Sequence, residues 1–283
     1  MKIYCVTHKP QPNIDKLGLI PVGLGTGEFP DHYLIENTLE NIAYKNKYYS
    51  EVSFHYWIWK NILPTKKDGE WFGICQYRRY FVKKNLRSKI NQTKGNQGNL
   101  KIDSLDDLNN LLQKEPHPDW GNHDAVLCDP WSVQVEKKMK IIKRGFRSLI
   151  KKPQILFNKK DQNIKLHFDM YHGYGNLDKA ISVLPDKDKN DFIEYVNNNT
   201  ELSGHSLFFC KSNEVLYNYY NDLFDWLFRC EKIFGFNSLT IYDTQRMYSF
   251  LSERYTAFWF KKYSNSITWP WIFYDISKEK NFN

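Results

Sequence analysis

Short apolar runs alternate along this chain with longer stretches in which apolar residues recur at helical spacing. The apolar runs that predict buried β-strands are residues 3–6, 125–128 and 207–210. The stretches with helical spacing are residues 31–46, 215–234 and 242–259. Because strands alternate with helices and no hairpin turn signal separates them, the pattern favours an α/β domain built in layers.

An aromatic helix is predicted at residues 46–61, shortly before a buried strand at 71–81. A helix would divide the side chains of 46–61 between two sides. One side would carry Tyr49, Ser53, Tyr56 and Lys60, and the opposite side Val52, Phe54, Trp57 and Ile58. We therefore expect this helix to pack against a sheet.

The predicted strand at 71–81 runs into two consecutive arginines, Arg78 and Arg79. An ionised arginine inside a core is costly unless it is paired, so this pair predicts a site wall where a guanidinium meets a carboxylate or phosphate. Structural ion pairs with Glu51 or Glu253 are the alternative interpretation. Since side chains alternate along a strand, we expect one of the two arginines to face a ligand.

Three further polar stretches predict local structure rather than a binding site. Residues 83–100, rich in Lys, Asn, Gln and Gly, predict a surface loop. Residues 104–114 predict a short helix capped by Ser104. The Asp-Lys-Asp at 186–188 follows a proline and no strand, so it predicts a helix start or a surface turn rather than a metal site.

The segment 136–160 contains ten Lys or Arg and no acidic residue after its first position. Its apolar residues at helical spacing are Met139, Ile142, Phe146, Leu149 and Ile150. A basic amphipathic helix of this kind can lie on an anionic membrane surface. It can equally pack its apolar stripe on the domain and leave its lysines in water, and the pattern does not separate the two. Pro153 ends the helix in either case.

Composition bounds the class of protein. The 283 residues suit one domain over 1–283, with the basic segment at about 136–160 as an insertion. The five cysteines show no CxxC spacing and are expected to be reduced core thiols. No signal peptide and no apolar run of about 20 residues is visible, so we expect a cytoplasmic protein, peripheral to the inner membrane face at most.

The net charge is +8 and the pI about 9.0, which permits nucleic acids, anionic lipids or phosphorylated substrates as partners. A non-catalytic nucleic-acid-binding protein is the rival class, because basic and aromatic residues are interleaved. Against it, the basic residues crowd into one segment and into loops, and the strand at 71–81 lacks the repeating platform of an RNA-binding sheet. We expect no nucleic-acid partner.

The motifs Tyr-x-Ser-Glu (48–51), Tyr-Trp-x-Trp-Lys-Asn (56–61) and Gly-x-x-x-Tyr-Arg-Arg-Tyr-Phe (73–81) resemble a bacterial family catalogued as domain of unknown function 4422. The resemblance extends to the opening strand, the Gly-rich turn at 23–27, the His172 region and residues 250–254. The chain departs from the family at Gln76, where a His is usual, and at Gly204-His205, where Asn-Met is typical.

The family is regarded as glycosyltransferases of capsular and lipopolysaccharide gene clusters, and the resemblance sets three expectations. The fold is expected to be a GT-A-like layered domain with a mixed, mostly parallel sheet flanked by helices. The activity is expected to be transfer of a sugar, including a hexofuranose, from a UDP-linked donor to a lipid-carried glycan. A catalytically inactive glycan-binding relative is the further alternative.

Glycosyl transfer needs a base for the acceptor hydroxyl and positive charge at the departing diphosphate. The candidate catalytic residues are His172, Asp169, Asp178 and Glu253. The candidate donor-binding residues are Thr7, His8, Glu51, Tyr77, Arg78, Arg79, Asp129, His205 and Arg254. The roles of His172, Glu253 and Arg254 are implied by the resemblance, whereas Thr7 and His8 follow from their place at a strand end.

No metal ligands are assigned. A divalent metal, Mn or Mg, would require carboxylates at a strand end, and the chain has no convincing Asp-x-Asp there. His167, Asp169 and His172 match no familiar zinc motif. The arginines at 78 and 79 are therefore expected to supply the charge compensation, and the nucleotide-sugar is the co-substrate.

Overall fold

The computed structural model of the protein describes residues 1–11, 13–93, 97–100, 102–135 and 137–275. Within them the strands are β1 (Lys2–Thr7), β2 (Ile20–Gly23), β3 (Leu34–Ile35), β4 (Phe72–Gln76), β5 (Arg79–Phe81), β6 (Asn91–Thr93), β7 (Gln97–Asn99), β8 (Ala125–Cys128), β9 (Trp131–Ser132), β10 (Glu201–Leu202), β11 (Phe208–Cys210), β12 (Ser266–Trp269) and β13 (Trp271–Phe273).

The α-helices are α1 (Asn46–Tyr49), α2 (Val52–Trp57), α3 (Leu105–Leu111), α4 (Lys138–Arg144), α5 (Phe146–Lys151), α6 (Ile164–His172), α7 (Asn176–Ser182), α8 (Asp186–Asn198), α9 (Asn213–Phe234), α10 (Tyr242–Gln245) and α11 (Met247–Tyr263). A π-helical turn spans Ile58–Ile62. Short 3₁₀ turns span Asp15–Leu17, Ala43–Lys45, Leu63–Thr65, Lys84–Lys89, Pro118–Trp120, Pro153–Leu156 and Lys159–Asp161.

A mixed sheet forms the centre of the fold, with the order β12-β8-β11-β4-β1-β2-β3 and with β5 and β13 attached beyond β4. Neighbours are parallel from β4 through β3 and between β12 and β8, whereas β11 is antiparallel to both β4 and β8. Helices lie against this sheet. The predicted α/β class, with a mixed and mostly parallel sheet, is confirmed.

Aromatic side chains fill the core between sheet and helices. Trp120, Trp226, Trp259 and Trp269 are all buried, and the five cysteines are buried and free, as predicted. At Gly73 of β4, an added Cβ would lie 1.9 Å from the ring of Phe209 on the neighbouring β11. A side chain at position 73 is therefore excluded by the packing of the adjacent strand.

The prediction of one strand at 71–81 is wrong. The chain turns at Tyr77 and Arg78, and β5 returns antiparallel to β4, with Arg79 opposite Gln76. A tight hairpin was not expected because the turn residues are large rather than Gly, Asn or Pro. Its consequence is that strand alternation does not separate the two arginines, and both face the same cleft.

The aromatic helix at 46–61 is interrupted rather than continuous. Ser50 adopts φ of 51° between α1 and α2, and the last turn widens into a π-helix. Both predicted stripes are largely buried, because Tyr49 and Ser53 are as enclosed as Val52 and Phe54. The interruption places Ser50 and Glu51 beside the cleft described below.

Two polar stretches also differ from expectation. Within 31–46 the chain forms the edge strand β3 and a 3₁₀ turn instead of a helix, since the pairing of Leu34 with Val22 of β2 overrides the helical spacing. The predicted loop at 83–100 contains the β6–β7 ribbon. By contrast, the helix capped by Ser104, whose Oγ accepts from the N–H of Asp107, is confirmed.

The basic segment is two short helices joined at Gly145 rather than one helix. Ile141 is buried in a small cluster with Val135, Ile155, Leu166 and Met170. The predicted apolar stripe is largely exposed, so the expectation that it packs on the domain is not met. Among the helices of the described residues, none combines the length and apolar character needed to cross a bilayer.

The start of α8 at Asp186 confirms the prediction for 186–188. Asp188 is fully buried and accepts hydrogen bonds from Tyr255 (2.7 Å), Tyr263 (2.6 Å) and Lys262 (2.9 Å). These contacts lower the pKa of its carboxyl although burial opposes them. Asp188 thus ties α8 to α11.

Replacement of this carboxylate tests its structural role. Asp188→Ala should lower the free energy of unfolding by about 2–3 kcal/mol, because it leaves the buried hydroxyl of Tyr255 without its acceptor and removes a hydrogen bond from Tyr263 and from Lys262, which keeps Asp191. Asp186→Ala, at an exposed carboxylate two residues earlier, should cost no more than about 1 kcal/mol. Urea unfolding followed by tryptophan fluorescence measures both. Equal losses would contradict the assignment.

Candidate active site

A cleft of about 710 Å³ opens at the carboxyl ends of β1, β2 and β4. His8 follows β1, Leu24 follows β2, and Gln76 and Tyr77 end β4. In this sheet β1 is followed by β2 on one side and, later in the chain, by β4 on the other. Such a reversal of strand order leaves a crevice in which open α/β sheets commonly bind nucleotides.

The other walls of the cleft come from distant parts of the chain. They are formed by Trp131–Val135 after β8, by Lys137 and Lys140 of the basic segment, by His167, Tyr171 and His172 of α6, by His205, and by Tyr242, Asp243, Arg246, Ser249, Phe250, Glu253 and Arg254 of α10 and α11. The first turn of α11 therefore borders the cleft. Its free N–H groups and helix dipole favour a bound anion there.

Three arginines line the cleft with unsatisfied donor capacity. Arg78 Nε lies 3.1 Å from Asp275, and its guanidinium covers the ring of Tyr77. Arg79 donates from one terminal nitrogen to Gln76 (2.7 Å) while its Nε is buried without an acceptor. Exposed Arg246 has no carboxylate within ion-pair distance among the described residues. The unused donors of these three arginines can therefore bind an anion in the cleft.

Gln76 connects two walls of this cleft. Its Oε1 accepts from Arg79, and its Nε2 donates to the backbone carbonyl of His205 (2.9 Å). His205 and Ser206 have φ of 72° and 52°, a backbone region that side chains adopt only under constraint. Gln76 therefore holds both an arginine and a strained loop.

Arg254 is the buried centre of the opposite wall. One terminal nitrogen donates to Glu253 (2.8 Å) and to the carbonyl of Phe250 (2.9 Å), and the other lies 3.2 Å from both His167 Nδ1 and His172 Nε2. Four of its five N–H groups are therefore occupied by protein. Arg254 holds the wall together, and its capacity to bind a ligand is small compared with that of Arg246.

The histidines of this wall are neutral. Burial, and next the charge of Arg254, lower the pKa of His167 to about 3 and that of His172 well below its ordinary value. His172 accepts from Arg254 and lies 3.2 Å from the carbonyl of Asp243, so both ring nitrogens are engaged. At the opposite rim, desolvation followed by Arg246 and Arg78 lowers the pKa of His8 to about 4.

Two of the three carboxylates that line the cleft, Glu51 and Glu253, differ in their partners, whereas the third, Asp243, pairs with Arg144. Burial alone would raise the pKa of Glu253, but His205, Arg254 and Arg79 outweigh it and lower the pKa to about 2. Glu51 accepts from Ser249 Oγ (3.2 Å) and has no ion-pair partner among the described residues. Burial, followed by repulsion from Glu253, raises its pKa. Glu51 is thus the stronger proton acceptor.

Aromatic rings give the cleft flat surfaces. Trp131 lies parallel to the ring of His205, 5.7 Å between centroids, and Phe250 stacks on His172 at 3.7 Å. Tyr77 adds a third ring beneath Arg78. Such surfaces suit contact with a nucleobase or with the apolar face of a sugar.

Nine of the sequence-predicted residues lie in the cleft: His8, Glu51, Tyr77, Arg78, Arg79, His172, His205, Glu253 and Arg254. Four do not line it. Thr7 donates to the carbonyl of Lys9, and Asp129 forms a bidentate pair with Arg87 at 2.8 Å. Asp169 caps Gly175, and Asp178 pairs with Lys165 on the surface. Their predicted roles stay predictions without support from this geometry.

Sequence reasoning missed Arg246, Trp131, Lys137 and Lys140 as cleft residues. Arg246 lies inside the helix predicted at 242–259, whereas in the structure it directly precedes α11, so its position at a helix start was not visible in the sequence. Glu36 was missed as well. It is buried behind the Gly-rich turn, accepts from the N–H of Gly25, from Asn46 and from Ser53, and desolvation raises its pKa to about 7 despite those bonds.

The described residues hold no cluster of three or more His, Cys, Asp or Glu placed to bind a metal ion. The Asp-x-Asp at 186–188 does not fit one either, because the carboxylate of Asp188 is used by Tyr255, Tyr263 and Lys262.

Fold and cleft together define an α/β protein with a basic, aromatic-lined cleft at a sheet switch point. The family model described as "Domain of unknown function (DUF4422)" matches residues 2–265, and the chain belongs to this family. No curated protein matches the sequence.

Among solved structures, the apo structure of the WbbM bifunctional glycosyltransferase is similar to this chain. The TM-score is 0.69 with 19% sequence identity over the full length of this chain, which spans 46% of that structure's chain. The two proteins therefore share a fold over somewhat less than half of the larger one.

Two arginines of the cleft should differ in how much they contribute to the free energy of unfolding. Arg254→Ala should lower the free energy of unfolding by about 3–5 kcal/mol, because a fully buried guanidinium that donates to Glu253 and to the carbonyl of Phe250, and contacts both histidines, is lost. Arg246→Ala, at an exposed side chain, should change it by no more than about 0.5 kcal/mol. Denaturant midpoints of the two variants provide the test. A destabilised Arg246→Ala protein would contradict the distinction between a structural Arg254 and an Arg246 that is free to bind a ligand.

Proposed function

We propose that this protein is a glycosyltransferase that takes a sugar from a nucleoside diphosphate donor. The observation that carries the proposal is the convergence of Arg78, Arg79 and Arg246 with the first turn of α11 in one cleft at the sheet switch point, beside the unpaired carboxylate of Glu51. The fold shared with a bifunctional glycosyltransferase supports the same class.

The arginines bind the diphosphate of the donor. In glycosyl transfer, negative charge grows on the diphosphate as the bond between its oxygen and the anomeric carbon breaks. Fixed guanidinium groups stabilise this charge without rearrangement at the moment of reaction. Arg246 and Arg78, which are exposed at the cleft, and Arg79 with its unsatisfied Nε are the three groups positioned for this purpose.

Glu51 accepts the proton of the acceptor hydroxyl. As that hydroxyl oxygen bonds to the anomeric carbon, its proton moves to a Glu51 carboxylate oxygen, and the electron pair of the broken bond leaves with the diphosphate. A carboxylate whose pKa is raised accepts a proton more readily near neutral pH than Glu253, whose pKa is about 2. This assignment moves the base from the sequence candidates His172, Asp169, Asp178 and Glu253 to Glu51.

The finer description rests on the resemblance. The donor is proposed to be UDP-linked and its sugar a hexose, with hexofuranose and hexopyranose donors to be compared directly. The acceptor is proposed to be a lipid-carried glycan of the capsule or lipopolysaccharide, and the enzyme to act on the cytoplasmic side as a GT-A-type transferase. Trp131, Phe250 and Tyr77 offer the surfaces on which base and sugar rings stack.

Donor binding tests the arginine cluster. Arg78→Ala, Arg79→Ala and Arg246→Ala should each weaken UDP binding by about 10- to 100-fold, since each removes a charge-assisted hydrogen bond worth about 1.5–3 kcal/mol. Isothermal titration calorimetry with UDP, with and without Mn²⁺, gives the affinities and reveals any metal requirement.

Arg229→Ala is the matched control for these variants, because Arg229 pairs with Asp225 on the surface of α9. It should bind UDP like the wild type. Absence of nucleotide binding by the wild type, together with tight binding of single-stranded RNA, would replace the proposal with a nucleic-acid-binding function.

Glu51→Gln should lower kcat by about 10²- to 10⁴-fold and leave the UDP affinity within a few-fold of wild type. Wild-type activity should rise with pH through the raised pKa of Glu51, because the carboxylate must be deprotonated to act. Initial rates of donor-sugar transfer at a series of pH values measure both effects.

Asp178→Asn serves as the control for Glu51, since this sequence candidate lies outside the cleft. Its kcat should equal that of the wild type. A wild-type protein that binds donor and glycan but transfers no sugar would identify the chain as an inactive glycan-binding relative.

A further inference from the structure

The segment from Lys138 to Phe157 presents apolar side chains to solvent at a density unusual for a surface. The exposed fractions are 58% for Met139, 38% for Ile142, 57% for Phe146, 65% for Ile150 and 79% for Phe157. We call these five side chains and the basic residues between them the docking face. Clustered exposed apolar side chains of this kind mark an interaction surface.

The segment is anchored from its other side. Ile141 is fully buried in a cluster with Val135, Ile155, Leu166 and Met170, of which Leu166 and Met170 belong to α6. The apolar stripe is therefore exposed on a fixed segment, and not because the segment is detached. Met139 and Ile142 are three residues apart on α4, and Phe146 and Ile150 are four residues apart on α5, so that each pair lies on one side of its own helix.

The charge around the apolar stripe indicates which kind of partner the docking face binds. Ten Lys or Arg lie between residues 137 and 160, with no acidic residue in that range. Among the described residues, only Arg144 and Lys152 of these ten have a carboxylate within ion-pair distance, from Asp243 and Asp161. The docking face thus combines apolar anchors with uncompensated positive charge, the combination that binds an anionic bilayer surface.

The docking face is continuous with the cleft. Lys137 and Lys140 line the cleft wall, and Arg144 pairs with Asp243 at its rim, 3.1 Å between Nη1 and Oδ2. A bilayer in contact with Phe146 and Ile150 would hold a lipid-linked molecule beside the cleft. Reaction at such a surface replaces a three-dimensional search for the acceptor by a two-dimensional one.

We propose that residues 138–157 dock the protein on an anionic lipid bilayer and so bring a lipid-linked acceptor to the cleft. The second half of this statement rests on the proposed function, whereas bilayer binding does not. A nucleic acid would match the positive charge but not the five exposed apolar side chains. A second copy of the chain would match the apolar side chains but would bring a like charge against the first.

The test is co-sedimentation of the full chain, without donor, with vesicles of phosphatidylcholine alone or with 30% phosphatidylserine. The wild type should bind the anionic vesicles at least tenfold more tightly than the neutral ones. Phe146→Ser combined with Ile150→Ser should reduce binding at least tenfold at both low and high salt. Lys143→Glu combined with Arg147→Glu should remove the preference for anionic lipid.

Ile193→Ser combined with Ile233→Ser is the matched control, because these isoleucines are 40% and 42% exposed on α8 and α9. The control should bind vesicles like the wild type. All variants replace exposed side chains outside the cleft, and thermal unfolding and UDP affinity should stay at wild-type values. These two measurements separate loss of docking from loss of fold or of donor binding.

Four outcomes would overturn the docking proposal. The first three are wild-type binding that does not distinguish the two vesicles, docking-face variants that bind like the control, and a dimer in light scattering that Phe146→Ser with Ile150→Ser dissociates. Tighter binding of single-stranded RNA than of anionic vesicles, lost in Lys143→Glu with Arg147→Glu, would do the same. Vesicle binding without sugar transfer would leave docking intact and reject only the proposed function.

Discussion

The cleft depends on one buried cation, the guanidinium of Arg254. A charge in this position is tolerated only because protein acceptors surround it: Glu253, the carbonyl of Phe250, and the rings of His167 and His172. These acceptors belong to α6 and α11, two helices far apart in the chain. By satisfying one charge they fix the relative position of both helices and thereby the shape of the wall. Burial, and next the same charge, lower the pKa of both histidines, which favours their neutral form as hydrogen-bond acceptors in this wall.

Burial divides the arginines of the cleft into structural and binding groups. Arg254 gives four of its donors to the protein, and its loss affects the fold. Arg246 and Arg78 project from the rim with donors unused, and Arg79 lies between the two cases because Gln76 takes part of its capacity. Glu51 and Glu253 divide in the same way, since of the two only Glu253 has a cation within ion-pair distance among the described residues. Two carboxylates in one cleft thus differ in proton affinity because their neighbours differ.

Much of this arrangement could be predicted from the sequence, and the rest depended on contacts that a sequence does not display. The strands at 3–6, 125–128 and 207–210 and the long helices were recoverable because an apolar run or a helical period is a local property. The hairpin at Tyr77 and Arg78 was not, because its turn is stabilised by neighbouring strands and not by Gly or Asn. The strand at Leu34 likewise exists because β2 is beside it.

Site residues, too, were predictable only where their signal is local in the sequence. Arg78 and Arg79 could be found because charge at the end of an apolar strand is anomalous in itself. The sequence does not reveal Arg246, Glu36 or Trp131 as site residues. Each becomes part of the site or its support through partners far away in the chain. Glu51 was found but assigned to the donor, because its lack of a cation and its proximity to Glu253 are visible only in three dimensions.

The antiparallel strand β11 separates the sheet into two parallel groups, β4-β1-β2-β3 and β12-β8. Since β11 runs against its neighbours, the loop before it, with His205, arrives at the same edge as the loops that follow β4 and β8. The cleft is consequently encoded in separate blocks: residues up to 79 supply Arg78 and Arg79, residues 131–172 supply the wall that continues into the docking face, and residues 242–254 supply Arg246 and Arg254. Exchange of the middle block between family members would change that wall and the docking face while the arginines of the other two blocks stayed in place.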